Sequence, residues 1–389
     1  MSSTLWIHRL LNARNMKKWC VVFIMSFLVI ANSFGQNDKQ FYFKIDGTIN
    51  ADTGTVTLNF LTDYIPNNDS DLVGKVKNGK FSISGYIPEP QSVVIHFDDV
   101  YYSSDFIIDK GLQTISINTD STKKVPGVTN STMVNEYPNY TTFFKQYNVK
   151  WDICSQKYNS LYKLNNYHLP EAIKSSQSKD FDILNKEHDK LLLTYCEKNP
   201  NSEIAFWTLI RLMGWGYEPI FDSIYNSFSD KLKNGYAGRV LNKKLENGKI
   251  LSIGKQFPSL QCINRNNEKF SSVVFTNRKL ILVDFWFSRC GPCRAQFSSL
   301  KNLYNQFSTK GFEIVGISKD KATDKKIWEE TIVNDQLIWQ QYWDIDGKDA
   351  HRLSINAFPT NFLIDHTGKI IAKNISLGEL EEVLNRSLK

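Results

Sequence analysis

The stretch from Ile281 to Phe297, ILVDFWFSRCGPCRAQF, constrains this chain more than any other. Its first half is a run of strand-forming residues broken by one acid, Asp284. The length and β-branched content of the run predict a strand buried on both faces. The apolar neighbours of Asp284 place that carboxylate inside as well, although a strand acid turned outward is the simpler alternative. Only three residues later the pattern changes to a helical one that starts at Cys290, with Phe297, Leu300, Tyr304 and Phe307 on its inner face and Gly311 suited to its end. A buried strand feeding a helix so directly requires an α/β layer. The rest of the C-terminal sequence agrees. FEIVGIS reads as a second strand, and a helix follows around Ile327, Trp328 and Ile332. A short helical segment is expected near Ala350 and Leu353. TNFLIDHTGKIIAKN is a hairpin that turns at His366-Thr367-Gly368. A last helix opens with Ser376 and Glu379 at capping-box spacing and buries Leu380, Val383, Leu384 and Leu388. The order β-α-β-α-β-β-α defines an open α/β sheet.

Cys290 and Cys293 sit three apart at the junction of strand and helix. A structural clip, half of a metal site and a redox pair all fit that spacing. A zinc site needs four ligands, usually from two such pairs. The chain has no second Cys-X-X-Cys motif, His351 and His366 are scattered, and Cys262 stands alone, so no metal ligands are assigned. A redox pair accounts better for the surroundings. Unsatisfied N–H groups and the helix dipole at a helix N-terminus favour a thiolate. Such positions bring a cysteine from about 8.5 to about 7 or lower. Arg289 adds a neighbouring positive charge. Gly291 and Pro292 bend the chain so that Cys293, one turn in and more buried, reaches Cys290. Cys290 is then the attacking group and Cys293 the resolving one.

The remaining sequence supplies context. A chain of 389 residues is long enough for two or three domains. Its first 35 residues read as a secretory signal: Lys17 and Lys18, an apolar core from Trp19 to Ala31, and small residues Ser33 and Gly35 before cleavage. Met16 is the expected true start. An uncleaved anchor is the alternative, but the apolar core is shorter than the roughly 18 residues a span needs. Four of the seven units of net positive charge belong to this leader, which leaves +3. No basic run interleaved with aromatics remains, so nucleic-acid binding has no support and no nucleic-acid partner is expected. Residues 36–125 alternate with period two, and Asn78-Gly79 marks a hairpin, so an antiparallel β-domain, a sandwich, is expected. Residues 131–246 carry helical periodicity. Two long helices are expected there, joined by KSSQSKD into a hairpin, with Cys154 and Cys196 on opposite arms as buried thiols or as a disulfide. His188 reads as a packed or rim histidine. Glu246 to Leu260 reads as a linker into the last domain, residues 247–389, in which Cys262 is expected to be a small apolar filler.

VDFW followed by CGPC resembles the active-site strand and helix start of the thioredoxin family, and AFPTNFLID resembles that family's cis-proline segment. The resemblance implies a thioredoxin-like C-terminal domain in which Pro359 is the cis-proline and Phe358 pairs with substrate through its backbone. It also implies that Asp284 is a buried carboxylate able to relay the Cys293 proton, and that Trp286 packs beneath the site. IGKQFPSL before the first strand, FLIDHTGKI after the proline and the export signal resemble the TlpA/ResA branch, whose members are extracytoplasmic thiol–disulfide oxidoreductases. Some of these reduce disulfides during cytochrome c maturation. The β-domain resembles a module of unknown function found fused to such domains in envelope proteins. Two departures bear on substrate preference and tuning: Arg289 replaces the usual Trp before the first cysteine, and Gln296 stands where many relatives carry Glu.

Three functions are therefore compared. In the first, an envelope thiol–disulfide oxidoreductase uses the Cys290–Cys293 disulfide as its only redox group, with no other cofactor. The Gly-Pro dipeptide points to reduction of protein disulfides, with a membrane thiol carrier as electron donor. Peroxide reduction is the second, but the required Thr is absent, since Phe287-Ser288-Arg289 precedes Cys290. The third is a ligand- or partner-binding envelope module with a secondary redox domain.

Overall fold

The computed structural model describes residues 40–66, 71–120, 127–129, 136–166, 169–271, 275 and 277–389. The expected secretory signal, residues 1–35, lies outside these residues. Among the described residues no helix is long and apolar enough to cross a membrane. The chain divides into two compact units. One runs to Gln156 and takes in Asn201–Ile204 and Ser229–Val240. The other holds Lys157–Pro200, Ala205–Phe228 and Leu241–Lys389.

The first unit is built on β1 (Phe41–Ile49), β2 (Thr53–Phe60), β3 (Asp71–Lys77), β4 (Lys80–Ile87), β5 (Gln91–Phe97), β6 (Tyr101–Tyr102), β7 (Phe106–Ile108), β8 (Gly111–Ile117) and β9 (Gly127–Thr129). The strands form one continuous sheet in the order β6-β5-β2-β3-β4-β1-β8-β9, with β7 also on β5. The sandwich expectation is corrected here, because hydrogen bonding links all the described strands. Both ends of the path, Ile95 and Phe97 on β5 and Ile115 and Ile117 on β8, enter the same core as Phe43 and Ile45, so the sheet curls around one interior. The pairs are antiparallel with one exception, since β1 and β8 run parallel. Period-two alternation reports which face a side chain takes and is blind to strand direction. The turn at Asn78-Gly79 takes positive φ at both residues (50° and 70°), as a tight hairpin requires.

The middle of the chain forms α1 (Glu136–Phe143), α2 (Lys145–Leu164), α3 (Glu171–Lys198), α4 (Glu203–Met213), α5 (Ile220–Ser227), α6 (Asp230–Asn234) and α7 (Tyr236–Lys249). KSSQSKD, expected as a loop, lies inside α3. It contains neither Gly nor Pro, and polar residues alone do not stop a helix. The break falls earlier, where Asn166 takes φ 50° and Pro170 precedes α3. Cys154 and Cys196 remain buried thiols. The expected linker is also more ordered than its composition implies. Glu246–Lys249 end α7, and Leu251, Phe257 and Leu260 are buried in the core of the C-terminal sheet.

That sheet contains β10 (Ile263–Asn264), β11 (Leu280–Trp286), β12 (Phe312–Ser318), β13 (Gln340–Trp343), β14 (Thr360–Asp365) and β15 (Ile370–Lys373), in the order β10-β13-β12-β11-β14-β15. Between the strands lie α8 (Gly291–Phe307), α9 (Lys325–Asn334), α10 (Lys348–Arg352) and, last, α11 (Leu377–Ser387). The expected strand–helix series is present, and β10 and β13 are added to it. β11 is central and every one of its residues is buried. Leu280, Leu282 and Trp286 face the helices α8, α9 and α11, while Ile281, Val283 and Phe285 face Phe257, Leu260 and Phe270. Gly311 ends the helical stretch in the left-handed region at φ 106°.

Candidate active site

The site is assembled by the ends of three adjacent strands. β11 pairs in parallel with β12 and antiparallel with β14, and Phe285 lies opposite Thr360. The end of β11 and the start of β14 therefore abut. The segment Phe287–Arg289, which leads to the cysteines, meets Phe358 and Pro359, which lead into β14. The Phe287 and Phe358 rings make the contact edge to face, 5.8 Å between centroids. The Phe358–Pro359 peptide is cis.

Cys290 and Cys293 are joined by a disulfide. Cys290 is the N-cap of α8, and its Sγ accepts a hydrogen bond from the Cys293 N–H at 3.2 Å. Pro292 occupies the first turn, where its missing N–H costs nothing. Gly291 and Pro292 are exposed, whereas Cys290 and Cys293 are 4% and 1% exposed. A guanidinium–carboxylate contact of 3.3 Å directs Arg289 to Asp324, so part of its charge is neutralised there.

The loop ahead of Cys290 is fixed by a buried network that sequence reasoning missed. The Asp320 carboxylate, just beyond β12, accepts from the Ser288 N–H at 3.0 Å and the Ser288 hydroxyl at 2.8 Å, and also from the Ser318 hydroxyl. The Trp343 indole N–H donates to the Asp320 carbonyl at 2.7 Å. Ser288 and Asp320 carry no motif, and they are brought together only by the β11–β12 pairing. In sequence Phe287 is only the end of an apolar run, and Lys319 gives no signal at all.

Asp284 alternates with Leu282 and Trp286 on β11, so it points to the face covered by α8. It is 3% exposed and its Oδ1 has no hydrogen-bond partner. Burial pushes its carboxyl up to about 7, because a charge there lacks solvent. Trp286 packs edge to face on Phe297 of α8 at 5.3 Å, and its indole N–H donates to Gln341 Oε1 at 3.1 Å. The structure thus gathers Arg289, Cys290, Gly291, Pro292, Cys293, Phe358 and Pro359 at one end of the sheet, with Asp284 and Trp286 on the helix-covered face below. Among the described residues no group of three or more His, Cys, Asp or Glu is gathered that could hold a metal ion.

A cysteine pair at the start of a helix, beside a cis-proline loop on a central-strand α/β sheet, defines a thioredoxin-like domain. Comparison with known proteins agrees. Residues 253–373 match the AhpC/TSA family, and residues 43–142 match a domain of unknown function, DUF4369. Thiol-disulfide oxidoreductase ResA of Oceanobacillus iheyensis is 26% identical over 152 residues, which cover 38% of this chain and 78% of the relative. A thiol-disulfide oxidoreductase structure from Bacteroides fragilis is 36% identical, covers 33% of this chain and 100% of its own, and has a TM-score of 0.31. The thioredoxin domain of a thiol-disulfide oxidoreductase from Bacteroides vulgatus is 31% identical over 36% of this chain and 99% of its own, with a TM-score of 0.33. The C-terminal domain is thus an AhpC/TSA-type thioredoxin-like domain, similar in sequence to proteins named thiol-disulfide oxidoreductases.

Proposed function

We propose that this protein is an exported reductase of protein disulfides in the cell envelope. The observation that carries this reading is the Cys290–Gly-Pro–Cys293 disulfide at the N-terminus of α8 beside the cis Phe358–Pro359 peptide. In the reduced protein the Cys290 thiolate attacks one sulfur of a substrate disulfide. That S–S bond breaks, the other substrate sulfur leaves as a thiolate, and a mixed disulfide forms. Cys293, deprotonated, then attacks Cys290 Sγ and releases the second substrate thiolate. Two electrons pass to the substrate, and the Cys290–Cys293 disulfide is restored. A dithiol donor at the membrane returns the two electrons for the next cycle. With a carboxyl near 7, Asp284 can accept the Cys293 proton at neutral pH and later return it. Phe358, next to Pro359, offers its backbone to an extended substrate segment, and Trp286 supports the helix start from below. The resemblance to the TlpA/ResA branch and the basic, apolar leader support export and envelope localisation.

The reduction potential tests this. The purified protein is equilibrated in defined thiol–disulfide buffers, and the oxidised fraction is read by alkylation and mass. A value near the ~−270 mV of thioredoxin is expected. A value near the ~−120 mV of DsbA would make the pair an oxidant and reverse the proposed direction. If no reversible disulfide forms between Cys290 and Cys293, the redox reading fails altogether.

A further inference from the structure

Three half-buried side chains from three adjacent strand ends meet beside the disulfide. Phe287 follows β11 directly, and its carbonyl accepts the Cys290 N–H at 2.9 Å. Phe358 precedes Pro359. Lys319 follows β12, and its N–H donates to the Trp286 carbonyl at 3.0 Å. The Lys319 ammonium lies 4.2 Å from the Phe358 ring centroid and 5.2 Å from that of Phe287. Two aromatic faces thus hold one cation against the backbone that leads to Cys290 and the backbone that leads to Pro359.

Among the described residues no carboxylate pairs directly with this cation. The adjacent Asp320 carboxylate is turned inward to Ser288 and Ser318. Asp324 is engaged by Arg289, and Glu329 by Lys325. Among the described residues neither Lys319 nor Lys321 forms an ion pair. Burial is the main reason the Lys319 pKa lies below its usual value; Asp320 opposes that shift through space and Lys321 adds to it. A lysine fixed across two rings has also given up the side-chain freedom that lets exposed lysines find a partner anywhere.

We propose that Lys319, Phe287 and Phe358 form the ridge on which the substrate segment docks, and that the fixed ammonium selects disulfides embedded in extended, acidic polypeptide. This rests on the thiol–disulfide reading of Cys290 and Cys293. Charge complementarity identifies the occupant: a carboxylate beside the substrate disulfide meets Lys319, with Lys321 adding long-range attraction, while the rings cover the apolar part of the segment.

The test uses the full chain, reduced beforehand and freed of reductant. Its second-order rate of oxidation is measured with two synthetic peptides that carry the same intramolecular disulfide, one flanked by Asp and Glu and the other by Lys. Hydroxyethyl disulfide serves as an uncharged small probe. The acidic peptide is expected to react about tenfold faster than the basic one at low salt, and the ratio should shrink as salt screens it. Lys319→Glu should invert the ratio and Lys319→Arg should preserve it. An inverted preference cannot come from misfolding. Equal rates for the two peptides with the unaltered chain would overturn the proposal, as would an unchanged ratio in Lys319→Glu. A Lys319→Glu effect that is equal for the small probe and for both peptides would place the residue's action on Cys290 itself and also overturn docking. No reaction with any of the three disulfides would sink the underlying redox reading instead.

Discussion

Replacing Asp284 by Asn removes the one ionisable group buried on the helix-covered face of β11, and the size of the effect follows from its environment. The carboxyl is raised from 3.8 to about 7 by burial. Each tenfold change in proton affinity is worth about 1.4 kcal/mol, so the ionised form costs the folded state about 4 kcal/mol. The sign is fixed by linkage. A carboxyl whose folded pKa lies above its unfolded value binds more protons in the native state between those values. Stability is therefore undiminished below about pH 4, falls by up to about 1.4 kcal/mol for each pH unit as pH rises to about 7, and stays at its reduced level above that. Asn brings its own penalty for an unsatisfied buried amide, but that penalty does not change with pH. Urea unfolding of the oxidised protein and its Asp284→Asn variant at pH 5 and pH 8 isolates the contribution of the carboxylate. The difference in stability should change by about 2–3 kcal/mol in favour of the variant between the two pH values. Parallel stability–pH curves would refute the reasoning. In the same variant the mixed disulfide, trapped by acid quench at successive times, should persist longer, because Cys293 loses its proton acceptor while Cys290 does not.

Cys293→Ser should leave a covalent adduct between Cys290 and the substrate, visible as a mass increase removed by reductant, whereas Cys290→Ser should give none. An adduct in Cys290→Ser and none in Cys293→Ser would reverse the assignment of attacking and resolving groups. Asp320→Ala should strand three donors, the Ser288 N–H and the Ser288 and Ser318 hydroxyls, in a buried setting. At about 1–3 kcal/mol for each unsatisfied group, a loss of at least ~3 kcal/mol in chemical denaturation is expected, and a loss under ~1 kcal/mol would show that water replaces the carboxylate.

The chemistry of the site is legible in sequence because it is local. Strand, turn, cysteines and helix start follow one another from Leu280 to Phe307, and each leaves its own pattern. Burial of Asp284 can be favoured for the same reason, since its neighbours on both sides are apolar, although pattern alone also admits an outward turn. Pro359 is reached through resemblance, because nothing in its composition separates a cis bond from a trans one. What stays hidden depends on pairing between distant segments. Lys319 and Phe287 meet only because β11 and β12 run side by side. Gln340–Trp343 is four residues long and shows no alternation, so its place beside β12 leaves no mark in the sequence. The parallel β1–β8 pair leaves no trace in period two. KSSQSKD misleads because its polarity is more conspicuous than its lack of Gly and Pro.

The bond from the Cys293 N–H to Cys290 Sγ has one more consequence. In the oxidised protein the amide caps a bonded sulfur, a weak acceptor. When Cys290 becomes a thiolate, as attacker or as the group expelled when the donor completes re-reduction, the same amide faces a full negative charge and the bond strengthens. The peptide frame need not move for this to happen. The first turn of α8 therefore works as a fixed bearing around which sulfur partners are exchanged, stiffest at the moment when the reactive atom carries its charge.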